Sequence, residues 1–94
     1  MYAETETFEL KHSGYKFIFE GAVTIRCRDA GETQLAAEAT GSRALKKKKM
    51  NPGDSFIYNT WDGTDYHITL VDRQGEGSGA VVTVSVDRVK KKEQ

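Results

Sequence analysis

The sequence predicts an all-β domain, a single antiparallel β-sandwich of about seven or eight strands. Three observations predict it. Apolar residues recur with a period of two in one segment after another, as in Val23, Ile25 and Cys27 or in Val82, Val84 and Val86. Strand side chains alternate between faces, so each such segment offers one face to a core and one to water, the pattern of antiparallel sheets. Turn residues cut these segments at short intervals, and 94 residues have room for one modest core.

The strands are expected near 5–10, 14–20, 22–29, 32–39, 43–49, 55–61, 64–73 and 79–89. In the first, Phe8 and Leu10 alternate with acids. In the second, Tyr15, Phe17 and Phe19 alternate with Lys16 and Glu20 and are expected to face the core. Asp29-Ala30-Gly31 then closes a three-residue hairpin with Gly31 left-handed, which sets Ile25 opposite Leu35 and Val23 opposite Ala37. The stretch 33–40 also fits a short helix, because Ala, Gln and Glu favour one. The hairpin register favours strand. Were it helical, a small barrel of the oligonucleotide/oligosaccharide-binding type, with one short helix at about 33–40, becomes the alternative.

Later elements carry clearer turn chemistry. Asn51-Pro52-Gly53-Asp54 reads as a type II turn, with Pro at the residue whose φ is near −65° and Gly where φ is positive. Asp62-Gly63, set between two alternating segments, is the strongest hairpin signal in the chain. Gly75-Glu76-Gly77-Ser78-Gly79 is a loop before the last strand, in which Val82, Val84 and Val86 face inward. The reading is one domain over 1–89, immunoglobulin-like in general architecture, with a polar basic tail at 90–94 that frays.

Composition excludes several function classes. No apolar run approaches the roughly 20 residues that span a bilayer, so no membrane insertion is expected. MYAETETFEL has neither a basic segment nor an apolar one after it, and one Cys makes no internal disulfide and no Cys-based zinc cluster. A reducing, cytoplasmic setting follows as the expectation. No nucleophile elbow, phosphate loop or cofactor motif is present, so neither an enzyme nor a cofactor is expected.

Charge is balanced in sum, 14 basic against 14 acidic side chains, but not in distribution. Arg43, Lys46, Lys47, Lys48 and Lys49 form one basic run, and Arg88, Lys90, Lys91 and Lys92 another. Together they suit a nucleic acid or other polyanion. In a strand, however, consecutive lysines face both ways, so the first run also reads as a guarded sheet edge. Asp54, Asp62 and Asp65 gather near the Asp-Gly turn, but their spacing lacks the calcium-loop pattern. His12 and His67 read as surface residues, and Cys27 as a small core residue between two outward arginines.

The aromatic hairpin supplies the leading functional expectation. Tyr58 and Trp61 near the turn are the expected anchors of a non-enzymatic module that binds a protein partner. The polyanion binder is the alternative, and a structural piece of a larger assembly is the third reading. Oligomeric state is open, since edge strands pair readily across two-fold axes.

Overall fold

A computed structural model of the chain describes residues 2–40 and 45–90. Eight strands lie within them: β1 (Tyr2–Lys11), β2 (Tyr15–Ile18), β3 (Val23–Asp29), β4 (Gln34–Ala39), β5 (Leu45–Lys49), β6 (Ser55–Asn59), β7 (Thr64–Gln74) and β8 (Val81–Lys90). They form two four-stranded antiparallel sheets, ordered β1-β8-β7-β6 and β2-β3-β4-β5. The chain changes sheet within 12–14 and again within 50–54. The sandwich is therefore two meanders, with β1 folded back beside β8.

The stretch 33–40 is strand, and the barrel with a helix there is set aside. Leu35 and Ala37 lie opposite Cys27 and Ile25 and are fully buried with them, in a strand paired on both sides. The sole helical turn among the described residues is a 3-10 turn, Gly77–Gly79. No helix there is long and apolar enough to cross a membrane. Arg43 and the tail from Lys91 onward lie outside the described residues.

The core fills the gap between the inward faces. Val23, Ile25, Cys27 and Leu35 come from one sheet, and Phe56, Tyr58, Tyr66, Ile68, Leu70, Val82, Val84 and Val86 from the other. Each buried aliphatic side chain favours the folded state by about 1.5–3 kcal/mol. Leu10 belongs to this core, and Phe8 packs half-buried against it.

Two expectations need correction. Tyr15 and Phe17 are not core residues; they point outward, 53% and 58% exposed. The strand ends two residues earlier than expected, and its inward phase is the even one. Ile18 closes β2 facing inward, and a left-handed turn follows, with φ of 53° at Phe19, 60° at Glu20 and 85° at Gly21. That turn carries Phe19 back under the core, so the phase of the aromatics misleads. Its N–H is held by the Glu6 carboxylate at 2.7 Å.

The second correction is the β3–β4 hairpin. It is longer than three residues and contains a bulge at Arg28, with Cys27 opposite Leu35 and Ile25 opposite Ala37. The shift from the expected register is two residues, which keeps every side chain on its predicted face. Thr33, not Gly31, takes the positive φ, at 41°. Gly31 is needed for another reason: its Cα lies so close to the 3-10 turn that a Cβ would fall 2.8 Å from Gly77 Cα and 2.9 Å from Gly77 O. Arg73 adds a bond to the Thr33 hydroxyl at 3.0 Å, so this end of the sandwich is locked across both sheets.

Gly31→Ala should therefore destabilise the fold by about 1–3 kcal/mol in urea denaturation, because backbone must move to admit a methyl. Gly79→Ala, where a Cβ meets open space, should change stability by less than about 0.5 kcal/mol.

Candidate interaction site

Trp61 sits in the β6–β7 loop, 94% exposed. The length of the loop explains why it does not pack on the core. The strands stop at Asn59 and resume at Thr64, so Thr60-Trp61-Asp62-Gly63 is loop and the indole follows no strand phase. The loop is tightly tied. Thr60 N–H donates to Thr64 O at 2.9 Å, and Gly63 N–H, at φ 86°, to Thr60 O at 3.1 Å. The Asp62 carboxylate accepts from the Thr60 hydroxyl and from Thr64 N–H at 3.2 Å. Asn59 donates to Asp65 across the hairpin at 2.6 Å.

Tyr58 is placed differently from the expectation. It is 4% exposed, a core residue, and cannot anchor a partner. Strand phase sends it inward with Phe56, and its length carries the hydroxyl to the opposite sheet. There it accepts from Ala39 N–H at 2.9 Å, next to the last described β4–β5 pair, Glu38 with Leu45.

The lysine run is an edge strand, and its two faces do different work. Lys46 and Lys48 lie opposite the buried Ala37 and Leu35, on the inward face. From there they reach the neighbouring edge of the other sheet. Lys46 Nζ donates to Ile57 O at 2.8 Å and Lys48 Nζ approaches Ser55 O at 3.5 Å. Leu70 N–H donates to Asp54 O and Thr60 N–H to Thr64 O, so by the two-residue period of the ladder the even residues of β6 pair with β7. Ser55 and Ile57 therefore turn their carbonyls to the free edge, where the ammonium groups cap them. Lys47 and Lys49 face outward, Lys49 bound to Glu32 at 2.8 Å.

Arg88 is not a surface cation either. It continues the inward phase of Val82, Val84 and Val86, and its side chain is only 18% exposed. It pairs with Glu4, stands beside the Tyr66 hydroxyl and lies over the Phe19 ring, 4.5 Å from the centroid. Burial alone would push the guanidinium down, but Glu4 and Tyr66 beside it more than offset this and hold it above its ordinary value. Burial raises the Tyr66 hydroxyl, since it disfavours the charged form. The group closes one end of the core under a shallow cleft of about 500 Å³ lined by Glu4, Glu6, Phe19 and Glu20. Lys90 ends β8, which lies two strands in from β6, so the two basic runs occupy different strands of different sheets.

Sequence reasoning missed one surface. On the outward face of β2-β3-β4-β5, one row runs Tyr15, Arg26, Ala36, Lys47 and the next Phe17, Thr24, Glu38, Leu45. Tyr15 and Phe17 meet edge to face, centroids 5.4 Å apart, and the Arg26 guanidinium stacks 5.2 Å over Tyr15. Arg26 also lies 3.9 Å from Glu38. Arg28, the bulge residue, borders clefts shared with Arg26 on one side and Lys49 on the other.

The remaining candidates have local roles. Cys27 is fully buried and burial pushes its thiol up, away from reactivity. Asp54 accepts from Asn51 N–H at 2.9 Å in the type II turn, at the far end of β6 from Asp62 and Asp65. Among the described residues no three metal-ligating side chains gather. His12 Nδ1 stands 3.8 Å from Asp29, and His67 lies half-buried on the outward face of its sheet.

The lysine clasp predicts that Lys46→Ala with Lys48→Ala will cost about 0.5–1 kcal/mol per bond removed and speed hydrogen exchange in β6, while Lys47→Ala leaves β6 unchanged. Asp62 gives a pH test. The Thr60 hydroxyl, aided by Thr64, holds its carboxyl below the usual value. A depressed acid contributes stability that is complete above its unfolded value, about 4, and lost as pH falls through the lower folded value. Fluorescence of Trp61, the lone tryptophan, should stay constant down to about pH 4 and change only below it; Asp62→Asn should remove that acid transition. Comparison with known protein families, with characterised proteins and with solved structures finds no significant match, so function must be read from the geometry.

Proposed function

We propose that the chain is a small non-enzymatic binding module that engages a protein partner through Trp61. The observation that carries this is an almost fully exposed indole on a loop tied by Thr60, Asp62 and Thr64. An indole offers roughly 150–250 Å² for burial, worth about 25 cal/mol per Å² once a partner covers it. A loop already ordered loses little freedom on binding. Tryptophan is among the residues enriched at the energetic centres of interfaces. A catalytic reading gains no support, because Cys27 is buried and each hairpin carboxylate is spent on its own turn. The cytoplasmic setting belongs to the same proposal, and a buried free thiol suits it.

One observation favours a second reading, a nucleic acid or polyanion as partner. Lys47 and Lys49 share their outward face with Arg26, Arg28 and the exposed rings of Tyr15 and Phe17, a mixture of cations and stacking groups. Lys46, Lys48 and Arg88 are taken out of that reading by their inward bonds. A fluorescent single-stranded oligonucleotide that shows no shift at about 50 mM salt would remove it.

The test of the leading reading is quantitative affinity capture from cell extract with wild type, Trp61→Ala and Trp61→Phe. The expected result is a partner whose recovery falls at least about tenfold with Trp61→Ala and partly returns with Trp61→Phe, at unchanged urea stability. Equal recovery by wild type and Trp61→Ala would exclude Trp61 as the anchor.

A further inference from the structure

The four sheet edges are not treated alike. β5 is a run of lysines. β6 has its free carbonyls capped by Lys46 and Lys48. β1 turns Glu4 and Glu6 inward, opposite Arg88 and Val86, and inward charge is a recognised guard against strand addition. β2 has the thinnest guard. Among Tyr15, Lys16, Phe17 and Ile18 the one charge is Lys16, opposite Ile25 on the inward face, and it is flanked by two exposed aromatics.

The backbone of β2 is also open in a defined way. Cys27 N–H donates to Gly14 O at 2.8 Å, and Thr40 N–H to Ala22 O at 2.9 Å. The odd residues of β3 therefore pair with β2 and the even ones with β4. On β2 it is Gly14, Lys16 and Ile18 that face β3. The N–H and C=O groups of Tyr15 and Phe17 point the other way, along the free edge. Both rings stand beside those groups, held in place by their mutual contact and by Arg26.

We propose that the free edge of β2 adds an extended strand from a partner protein, pairing through the backbone of Tyr15 and Phe17, with an acidic residue of that strand opposite Lys16. The rings supply apolar contact on the outward face and the ladder supplies direction, the usual division in strand addition. Lys16 selects the partner. It is exposed and forms no ion pair among the described residues. In the two-fold register centred on Lys16, which pairs Tyr15 with Phe17 twice, a second copy would set Lys16 against Lys16, and like charges directly opposite are unfavourable. An apolar-acidic-apolar segment satisfies all three positions. This inference rests on the protein-binding reading and adds a second contact to it, on the sheet edge remote from the Trp61 hairpin.

The probe is a set of capped decapeptides with central Val-Glu-Val, the same with Val-Lys-Val, and Val-Glu-Val N-methylated at alternate residues so that it cannot complete the ladder. Isotope-labelled protein is titrated and followed by backbone amide shifts. Val-Glu-Val should shift Tyr15 and Phe17 amides and slow their exchange. Val-Lys-Val should bind at least about threefold more weakly, and Lys16→Glu should reverse that order. The N-methylated peptide should not bind. Shifts centred elsewhere, indifference to the Glu/Lys exchange, or no binding at millimolar peptide would overturn the proposal. So would protection of these amides by self-association without peptide, or shifts produced only by an oligothymidine. Trp61→Ala should bind the peptides as wild type does. A partner lost with Trp61→Ala but peptides that fail would leave the protein-binding reading standing and remove only this edge.

Discussion

The inward faces of the two sheets have only each other to bury against. No helix covers either sheet among the described residues, so Val23, Ile25, Cys27 and Leu35 on one side and Ile68, Leu70, Val82, Val84 and Val86 on the other must meet directly. That single contact sets the phase of every strand. It turns both outward faces to solvent, and it leaves four strand edges at the margins of a small core. Each remaining feature is a way of closing an end or an edge of that layer.

The ends are closed by unlike devices. At one, Gly31 packs backbone to backbone on Gly77, and Arg73 reaches Thr33 from the other sheet. At the other, Arg88 fills the last inward position of β8, where Glu4, Tyr66 and the Phe19 ring neutralise and cover it. Edges are closed by charge. The lysine run serves twice, since Lys46 and Lys48 bridge to β6 while Lys47 and Lys49 keep the outward side wet. A sequence motif that resembles a polyanion site thus divides into a structural half and a surface half.

Strand positions were legible because alternation and turn chemistry act locally. Gly53 and Gly63 take the positive φ that their turns require, at 97° and 86°. What the sequence hid depends on non-local geometry. Tyr15 and Phe17 alternate with Lys16 as core residues would, and only the left-handed turn at Phe19 and Glu20 reveals that Ile18 faces inward instead. Neither residue is one from which a positive φ is expected. Tyr58 and Trp61 look equivalent in sequence, yet one follows strand phase into the core and the other falls in the loop. Arg88 reads as part of a basic tail, because Glu4 lies 84 residues away in sequence.

β2 is guarded by Lys16 alone, in a fold that sets two or more charges at each of its other three edges. Residue-by-residue hydrogen exchange of the free protein tests this most directly. Protection should alternate along β2, slow at Lys16 and Ile18, fast at Tyr15 and Phe17. Slow exchange at Tyr15 and Phe17 in the monomer would show that the edge is already covered and would contradict the account.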